Sequence, residues 1–494
     1  MKSMMVRIAR WSAAAAGAGF AAVAAYVALN SIDCAAPDLS RFDNRQERPA
    51  DADNVYCGLL AATNVVSEAT GLPVMDSVFG RDCRDAGEQA SGGRPEKTAD
   101  ELRRDEILSK RRRFWDRYRN PNKRGDVTGE EKDEVLADAA KTLALFHEAV
   151  QRKAWYAFEP STGERSILFP MVSLMVNFPS IVRLNVERQL ERGEVGAAIE
   201  SVRDIVQFAY KVDRGAESAV MWTISTSTLR IGLSGAMKVV KSGKATDGEL
   251  AGLQEVLRSF DIKSRSGMVR RMMNNELCLV FVQMTDQDAV FASDVVWDED
   301  FSAAMRIVRN PLLRRYAFHR NCTWAKYACQ IDKVKELYSK GYDKSAWDEL
   351  VDRFDEDFND GGWRFGPNFV GRKIALDCEP MWRCLGESEA RIEFSFISTA
   401  AVVAAERFRR KAGAYPKSLS DLVPEYLPSV PEDPFKKGSP LNYDAERGVI
   451  WTVGADGSFD GKPVKPEAEG KPGWGVYGKG NHDYIVNIDA TPTK

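Results

Sequence analysis

The sequence contains few of the residues that catalysis and metal binding most often use. Among its 494 residues only three are histidine, namely His147, His319 and His482. It has no His-Glu-x-x-His, no Cys-x-x-Cys, no glycine-rich phosphate loop and no dinucleotide fingerprint. The net charge of -3 leaves no global basic field, which argues against a nucleic-acid partner. These absences favour a protein without catalytic function, although they leave the question of an enzyme open.

Cysteine is present but offers little chemistry that can be read from its spacing. Eight cysteines are an even number and permit disulfides in an oxidising compartment. Cys322 with Cys329, and Cys378 with Cys384, are candidate local pairs, although two cysteines seven residues apart on one straight helix lie too far apart to bond. His319 near Cys322 is the sole pair that resembles a thiol and a base, and its spacing is more typical of chance.

The N-terminus carries a long uncharged segment, residues 11–32, preceded by three basic residues and followed by acidic ones. About 22 residues at about 1.5 Å per residue are enough to cross a hydrocarbon core of about 30 Å. Because the positive flank comes first, the charge rule places the N-terminus in the cytoplasm. We therefore predict a single-pass inner-membrane protein whose body is periplasmic.

A cleaved signal peptide is the alternative interpretation of this segment. Its apolar stretch is long for a signal core, and no small-x-small site precedes Asp33, so a retained anchor is favoured. Lipidation at Cys34 is disfavoured because the preceding residue, Asp33, is not small.

The remaining sequence predicts a mainly α protein of irregular stacked helical hairpins, followed by a small C-terminal α+β domain. The predicted parts are an N-terminal membrane anchor (1–33), a linker (34–53), a helical periplasmic domain (54–385) and a C-terminal domain (386–494). The linker is rich in proline, aspartate and arginine. The sequence has no period of 34 residues, and therefore gives no sign of a tetratricopeptide array.

The clearest hairpin is centred on Gly193, which ends a helix over 181–192 and precedes its partner over 194–212. Thr128 with Glu131 forms a capping-box signature for another helix. The basic run 110–113 predicts a solvated helix face. Further helices are expected over 54–70, 221–241, 247–260, 264–284, 321–339 and, after a loop over 357–367, from about 387 to 411.

The C-terminal hundred residues change character after Gly413 and Pro416. Tyr-Pro at 415–416, a leucine- and proline-rich segment to 428, Asp433-Pro434-Phe435 and three short strands (442–444, 448–453 and 483–488) follow in order. This order resembles the C-terminal domain of the type II secretion major pseudopilin, over about a fifth of the chain. The whole layout is similar to membrane-anchored envelope proteins of Planctomycetes-type bacteria. Unlike a true pseudopilin, the chain has an ordinary anchor and a long helical insertion, so we do not expect it to polymerise.

The loop after the second strand is a candidate calcium site. Oxygen-bearing side chains alternate there with a glycine at the sixth position, and calcium needs six to eight oxygens around one point. The pseudopilin resemblance implies a structural calcium ion in this loop. The alternative is a polar turn without an ion. The candidate ligands are Asp456, Ser458, Asp460, Glu467 and Asp483.

Two functions from different classes remain open. The first is an envelope scaffold or assembly protein whose partners are envelope or secretion-system proteins. The second is a periplasmic hydrolase or ligand-binding protein with a pocket between helices, which clustered polar residues with perturbed pKa values would reveal.

Overall fold

A computed structural model defines the fold, and it is mainly helical, as predicted. The predicted anchor over 11–32 lies outside the described residues, and among those described no helix is both long and apolar enough to cross a membrane. The structure describes residues 35, 49–79, 98–120, 125–156, 168–215, 218–285, 315–358, 367–455, 457 and 485–487.

Twelve α-helices and three strands make up the regular structure of these residues. The helices are α1 (Val55–Thr63), α2 (Val74–Phe79), α3 (Ala99–Arg119), α4 (Gly129–Val150), α5 (Leu168–Arg192), α6 (Val195–Arg214), α7 (Ala219–Lys241), α8 (Asp247–Arg258), α9 (Arg265–Thr285), α10 (Arg320–Lys340), α11 (Lys344–Phe358) and α12 (Phe369–Ala412). The strands are β1 (Asn442–Asp444), β2 (Val449–Trp451) and β3 (Ile485–Asn487).

The chain divides into two compact units. One comprises Arg45–Met272 with Glu387–Lys494, and the other comprises Met1–Asn44 with Met273–Gly386. The candidate sites described below lie in the first of these, which we call the main unit. The four-part division predicted from the sequence stays a prediction.

Three helices of the main unit begin with the same threonine-glutamate capping box. The side chains of Thr98, Thr128 and Thr246 each accept a hydrogen bond from the backbone N–H of the glutamate three residues later. The side chain of that glutamate in turn accepts from the backbone N–H of the threonine. Each box satisfies two amide groups that a helix start otherwise leaves unpaired, and such a cap contributes about 1 kcal/mol. The prediction from Thr128 and Glu131 is confirmed.

The hairpin centred on Gly193 is also confirmed. Gly193 has a φ of 79°, the left-handed conformation that ends a helix at low cost when the residue is glycine. The apolar residues that recur at helical spacing in α6 are all buried, namely Val195, Ile199, Val202, Val206 and Ala209. On the facing helix α7, a Cβ added to Gly232 would lie 2.9 Å from Val206 Cγ2, and one added to Gly235 would lie 2.9 Å from Val202 Cγ2. The two glycines let α6 and α7 pack closely.

The predicted start of the last long helix near residue 387 is wrong, because α12 begins at Phe369. Two glycines in the first half of α12 are sites of close packing. A Cβ on Gly371 would lie 1.9 Å from Thr323 Oγ1, and one on Gly386 would lie 2.4 Å from Trp347 Cε2. Tertiary contact outweighs the low helix propensity of glycine here.

The sequence predicted a solvated helix face for the basic run 110–113, but one of its four residues is buried. Arg111 is only 4% exposed, and its Nη2 donates to the carbonyl oxygen of Glu134 at 3.0 Å. Burial lowers the pKa of the Arg111 guanidinium, against the opposing effect of Glu134. One residue of the run therefore joins α3 to α4, while Arg112 and Arg113 are exposed.

The three strands form an antiparallel sheet in the order β1-β2-β3, where the sequence predicted strands. Tyr443 pairs with Ile450, and Ile450 pairs with Val486. The buried carboxylate of Asp433 holds the chain beside the sheet, because it accepts from the Phe435 backbone at 2.9 Å and from the Val453 backbone at 3.1 Å. The likeness to a pseudopilin head stays a prediction.

Candidate functional site

The predicted metal ligands, Asp456, Ser458, Asp460, Glu467 and Asp483, lie outside the described residues. Beside them the structure describes a turn in which Gly457 N donates to Gly454 O at 3.2 Å, with φ values of 70° at Gly454 and 73° at Gly457. Within the described residues no three acidic, histidine or cysteine side chains group as a metal site. The calcium site stays a prediction.

The thiol and base pair near the start of α10 is excluded as a catalytic pair. Cys322 is disulfide-bonded and has no thiol to activate. Cys329, on the same helix, is free, so the candidate pairing of Cys322 with Cys329 is wrong as well. His319 is buried at the N-cap of α10, and its side chain caps no amide there.

A pocket of about 360 Å³ lies among helices α4, α5 and α6 of the main unit. Its walls combine apolar side chains with a group of polar ones. The lining residues are Leu143, Ala144, Phe146, His147, Val182, Asn185, Gln189, Ala197, Glu200, Ser201 and Asp204.

Helical periodicity explains how α6 serves both the pocket and the core. Ala197, Ser201 and Asp204 recur at intervals of three and four residues and therefore share one face of the helix. The apolar stripe that packs in the core lies on another face, with Ile199 and Val202 buried. One helix thus presents polar groups to the pocket without interrupting the core.

The central feature of the pocket is a histidine-aspartate pair. His147 Nδ1 lies 2.8 Å from Asp204 Oδ2, and Gln151 Nε2 donates to Asp204 Oδ1 at 3.4 Å. Asp204 is 7% exposed, and burial raises the pKa of its carboxyl group, which the hydrogen bond from His147 opposes. With Asp204 ionised, Nδ1 is the donor, and Nε2 can accept a hydrogen bond only when the ring carries no second proton.

Ser201 shares the pocket but is not arranged as a nucleophile. Its Oγ donates to Gln189 Oε1 at 3.0 Å and accepts from Asn185 Nδ2 at 3.2 Å. A serine nucleophile needs its hydroxyl hydrogen-bonded to the base, and here that proton goes to an amide instead. The arrangement supports ligand binding more than hydrolysis.

The unused hydrogen-bonding capacity of the pocket is mostly that of acceptors. His147 Nε2 in the neutral ring, Asn185 Oδ1 and the Glu200 carboxylate can accept, whereas the Gln189 amide nitrogen and the second N–H of Asn185 Nδ2 can donate. No lysine or arginine lines the pocket. At the rim, Arg203 Nη1 lies 2.5 Å from Glu200 Oε2 in a largely exposed ion pair. The pocket is therefore rich in acceptors and carries net negative charge.

A second polar cluster of the main unit is fully buried and centred on Arg265, which is 2% exposed. Its Nη1 lies 2.5 Å from Asp213 Oδ1, while its Nη2 and Nε reach the two oxygens of Glu389 at 2.8 and 3.1 Å. Thr226 Oγ1 accepts at 3.0 Å, and Ser225 Oγ accepts at 3.5 Å. All five guanidinium N–H groups are thus engaged.

The carboxylates of this cluster are also held by neutral donors. Ser225 Oγ donates to Asp213 Oδ1 at 2.9 Å, and Trp222 Nε1 donates to Glu389 Oε1 at 2.6 Å. Burial raises the pKa of Asp213 to about 6, because desolvation and Glu389 outweigh Arg265. The cluster joins α6, α7, α9 and α12, leaves no described donor of Arg265 unused, and has the character of a structural core element.

Sequence reasoning missed both clusters, because their members come from separate helices. A weak signal was present, since Asp204 and Asp213 interrupt the apolar pattern of α6 at positions where a charge is costly to bury. The partners are 57 residues away for Asp204 and 52 for Asp213. No spacing rule connects residues at such distances along the chain.

No protein-family model, curated protein or solved structure matches this chain. The function proposed for the protein therefore rests on the geometry described above.

Proposed function

We propose that this chain is a membrane-anchored envelope scaffold or assembly protein, linked to type II secretion or pilus-like machinery. In this proposal residues 11–32 hold the protein in the inner membrane. The periplasmic body presents the segment that follows α12, which we call the C-terminal segment, to envelope proteins. The observation that carries the proposal is the attachment of that segment to the helices of the main unit.

The attachment is a set of contacts around Tyr426, which we call the Tyr426 clamp. Gln254 Nε2 and Arg258 Nη2, both from α8, donate to the Tyr426 carbonyl oxygen, the latter at 3.1 Å. Arg407 of α12 places its guanidinium 5.4 Å from the Tyr426 ring centroid and donates to Gln254 Oε1 at 2.6 Å. Phe408 packs edge-on against the same ring. Polar, stacked and apolar contacts thus converge on one residue.

A second set of contacts fixes the turn that follows α12. Glu406, 1% exposed, accepts from Arg409 and from Arg410, the latter at 2.8 Å, and Tyr415 Oη lies 3.3 Å from it. Tyr443 of β1 in turn donates to the carbonyl oxygen of Pro416 at 2.7 Å. With both sets in place, the C-terminal segment is held by the helices and not by a flexible linker, as a scaffold that positions a partner requires.

The proposal is tested by loosening the clamp in the full-length protein. Gln254→Ala combined with Arg407→Ala removes the amide donor and the stacked cation. The matched control combines Glu255→Ala with Lys241→Ala, two exposed residues of the same helical region. Membrane extracts from cells making each version are affinity-purified, and proteins of the secretion and pilus machinery are quantified by mass spectrometry.

We expect such proteins to co-purify with the unaltered chain and the control, and their recovery to fall for the clamp variant. Circular dichroism verifies that the clamp variant is folded. Equal recovery from the clamp variant and the control, or no envelope protein in any sample, would overturn the proposal.

A second function, ligand binding, is favoured by the pocket among α4, α5 and α6. A buried acid paired with a histidine, beside unused acceptors, is typical of a binding site. Ala197 is exposed at the pocket wall, so Ala197→Phe fills the pocket without entering the core. Any small molecule that binds there must lose affinity in this variant, and ligand-observed NMR with a fragment set measures that loss.

A further inference from the structure

We propose that the pocket among α4, α5 and α6 binds a primary amine carried on a small apolar group. This inference rests on the second proposed function, ligand binding in that pocket, and adds the chemical class of the ligand. Four features of the lining residues support it.

The first feature is charge. Two carboxylates, Asp204 and Glu200, line the pocket, and no lysine or arginine does so. Arg203 pairs with Glu200 from outside the lining. An anionic ligand would meet like charge, whereas an ammonium group would meet opposite charge, most strongly at the buried Asp204.

The second feature is the excess of acceptors over donors. An ammonium group carries three donors and no acceptor. His147 Nε2 in the neutral ring, Asn185 Oδ1 and the Glu200 carboxylate offer three acceptor groups, against two amide nitrogens, those of Gln189 and Asn185, that keep N–H groups to donate. A ligand rich in acceptors would leave these atoms unpaired, which costs free energy in a partly buried site.

The third feature is the state of Asp204. Burial raises the pKa of this carboxyl group, and the hydrogen bond from His147 offsets only part of that shift. A bound ammonium group would add an opposite charge and favour the carboxylate. Asp204 is therefore the residue expected to contribute most to amine affinity, and Glu200, which is exposed and already paired with Arg203, is expected to contribute less.

The fourth feature is the apolar part of the wall. Leu143 is half-buried, Ala144 and Ala197 are exposed, and all three line the pocket, whereas Phe146 and Val182 of the lining are almost fully buried. The first three offer a small apolar surface for a short hydrocarbon or ring, but not for a second charge. A volume of about 360 Å³ is at the lower end of small-molecule sites, which begin at roughly 300 Å³. A compact amine fits both the size and the polarity.

The experiment compares three probes of matched shape and different charge: benzylamine, benzyl alcohol and benzoate. Each is titrated into the full-length protein, and binding is followed by saturation-transfer NMR. We expect benzylamine to bind about tenfold or more tightly than benzyl alcohol, as hydrogen bonds to a charged group imply, and benzoate to bind most weakly.

Two variants locate the interaction. Asp204→Asn keeps the shape and one acceptor, and should weaken benzylamine about tenfold while leaving benzyl alcohol unchanged. Asp348→Asn, an exposed aspartate outside the main unit, is the matched control and should leave all three probes unchanged. Thermal unfolding by circular dichroism verifies that both variants are folded.

The outcomes separate the ligand class from the site. If all three probes bind equally, or benzoate binds best, and Ala197→Phe abolishes that binding, the pocket is a ligand site and the amine class is wrong. If no probe binds, or Ala197→Phe changes nothing, both the amine class and the second proposed function are overturned.

Discussion

Two polar clusters in the described part of the main unit, that of Arg265 and that of the pocket, differ in how fully their hydrogen bonds are used. Around Arg265 every guanidinium N–H has an acceptor, and no water-exposed atom is involved. In the pocket, His147 and Asp204 bind each other while other acceptors face an open space. Satisfied clusters hold helices together, and unsatisfied ones beside a cavity are available to a ligand. The predictions below test that distinction.

The largest expected effect comes from removing the cation of the buried cluster. Arg265→Met leaves Asp213 and Glu389 buried without a positive partner, which should lower the free energy of unfolding by about 3–5 kcal/mol. The matched control is Arg188→Met, because Arg188 pairs with Asp133 at 2.6 Å in a partly exposed network, and such pairs contribute about 0–1 kcal/mol.

Urea unfolding followed by circular dichroism measures both variants. A loss for Arg265→Met no greater than that for Arg188→Met would contradict the distinction between the two kinds of cluster. The triple variant that also carries Asp213→Asn and Glu389→Gln should recover part of the loss, since it removes the unpaired charges.

A smaller effect is expected from the titration of Asp213, whose pKa is raised to about 6 by burial. The folded state then binds a proton that the unfolded chain, with its ordinary aspartate pKa of about 3.9, binds only at lower pH. The contribution of Asp213 to the free energy of unfolding therefore increases by up to about 3 kcal/mol as the pH falls from about 7 to about 4. It is lost as the pH rises through 6.

Asp213→Asn removes this dependence because asparagine does not titrate. The stability of the unaltered protein relative to this variant should rise on acidification, and urea unfolding at a series of pH values measures the difference. Parallel pH profiles of the two proteins would show that Asp213 keeps an ordinary pKa in the folded state. Asp348→Asn is the control for removing an exposed carboxylate.

The smallest effect on stability is expected in the pocket. Asp204→Asn keeps one acceptor oxygen for His147 and gives up only the longer contact from Gln151, and the raised pKa of Asp204 indicates that its charge is not well stabilised in the folded protein. Its free energy of unfolding should change by about 1 kcal/mol or less. A loss as large as that of Arg265→Met would mean that the pocket pair is a structural element like the buried cluster.

The helices were largely predictable because their signals are local. Thr128 and Glu131 are three residues apart and mark a helix start, and Gly193 marks a stop, so neither prediction needed knowledge of the tertiary fold. The start of α12 was not predictable, because Gly371 and Gly386 fit tight contacts with Thr323 and Trp347 that sequence patterns do not reveal. The burial of Arg111 likewise depends on Glu134 of another helix.

The candidate site was less predictable than the fold. His147 gave no local signal of its partner, since Asp204 lies 57 residues further along the chain. The predicted calcium ligands from Asp456 to Asp483 lie outside the described residues, so the calcium site stays a prediction from the sequence. What a sequence pattern reveals best is the contact between near neighbours, whereas both polar clusters depend on helices that meet only after folding.

The burial of Arg265 has a consequence for when this protein can fold during its synthesis. Its carboxylate partner Glu389 lies 124 residues later in the chain, and the Tyr426 carbonyl that Gln254 binds lies 172 residues after Gln254. A nascent chain that ends before these residues holds a cation with half of its counter-charge missing. Contacts of such long range form slowly, and incomplete cores are prone to aggregate. We therefore expect the main unit to reach its stable state only after its C-terminal residues have been synthesised, and to benefit from chaperones until then.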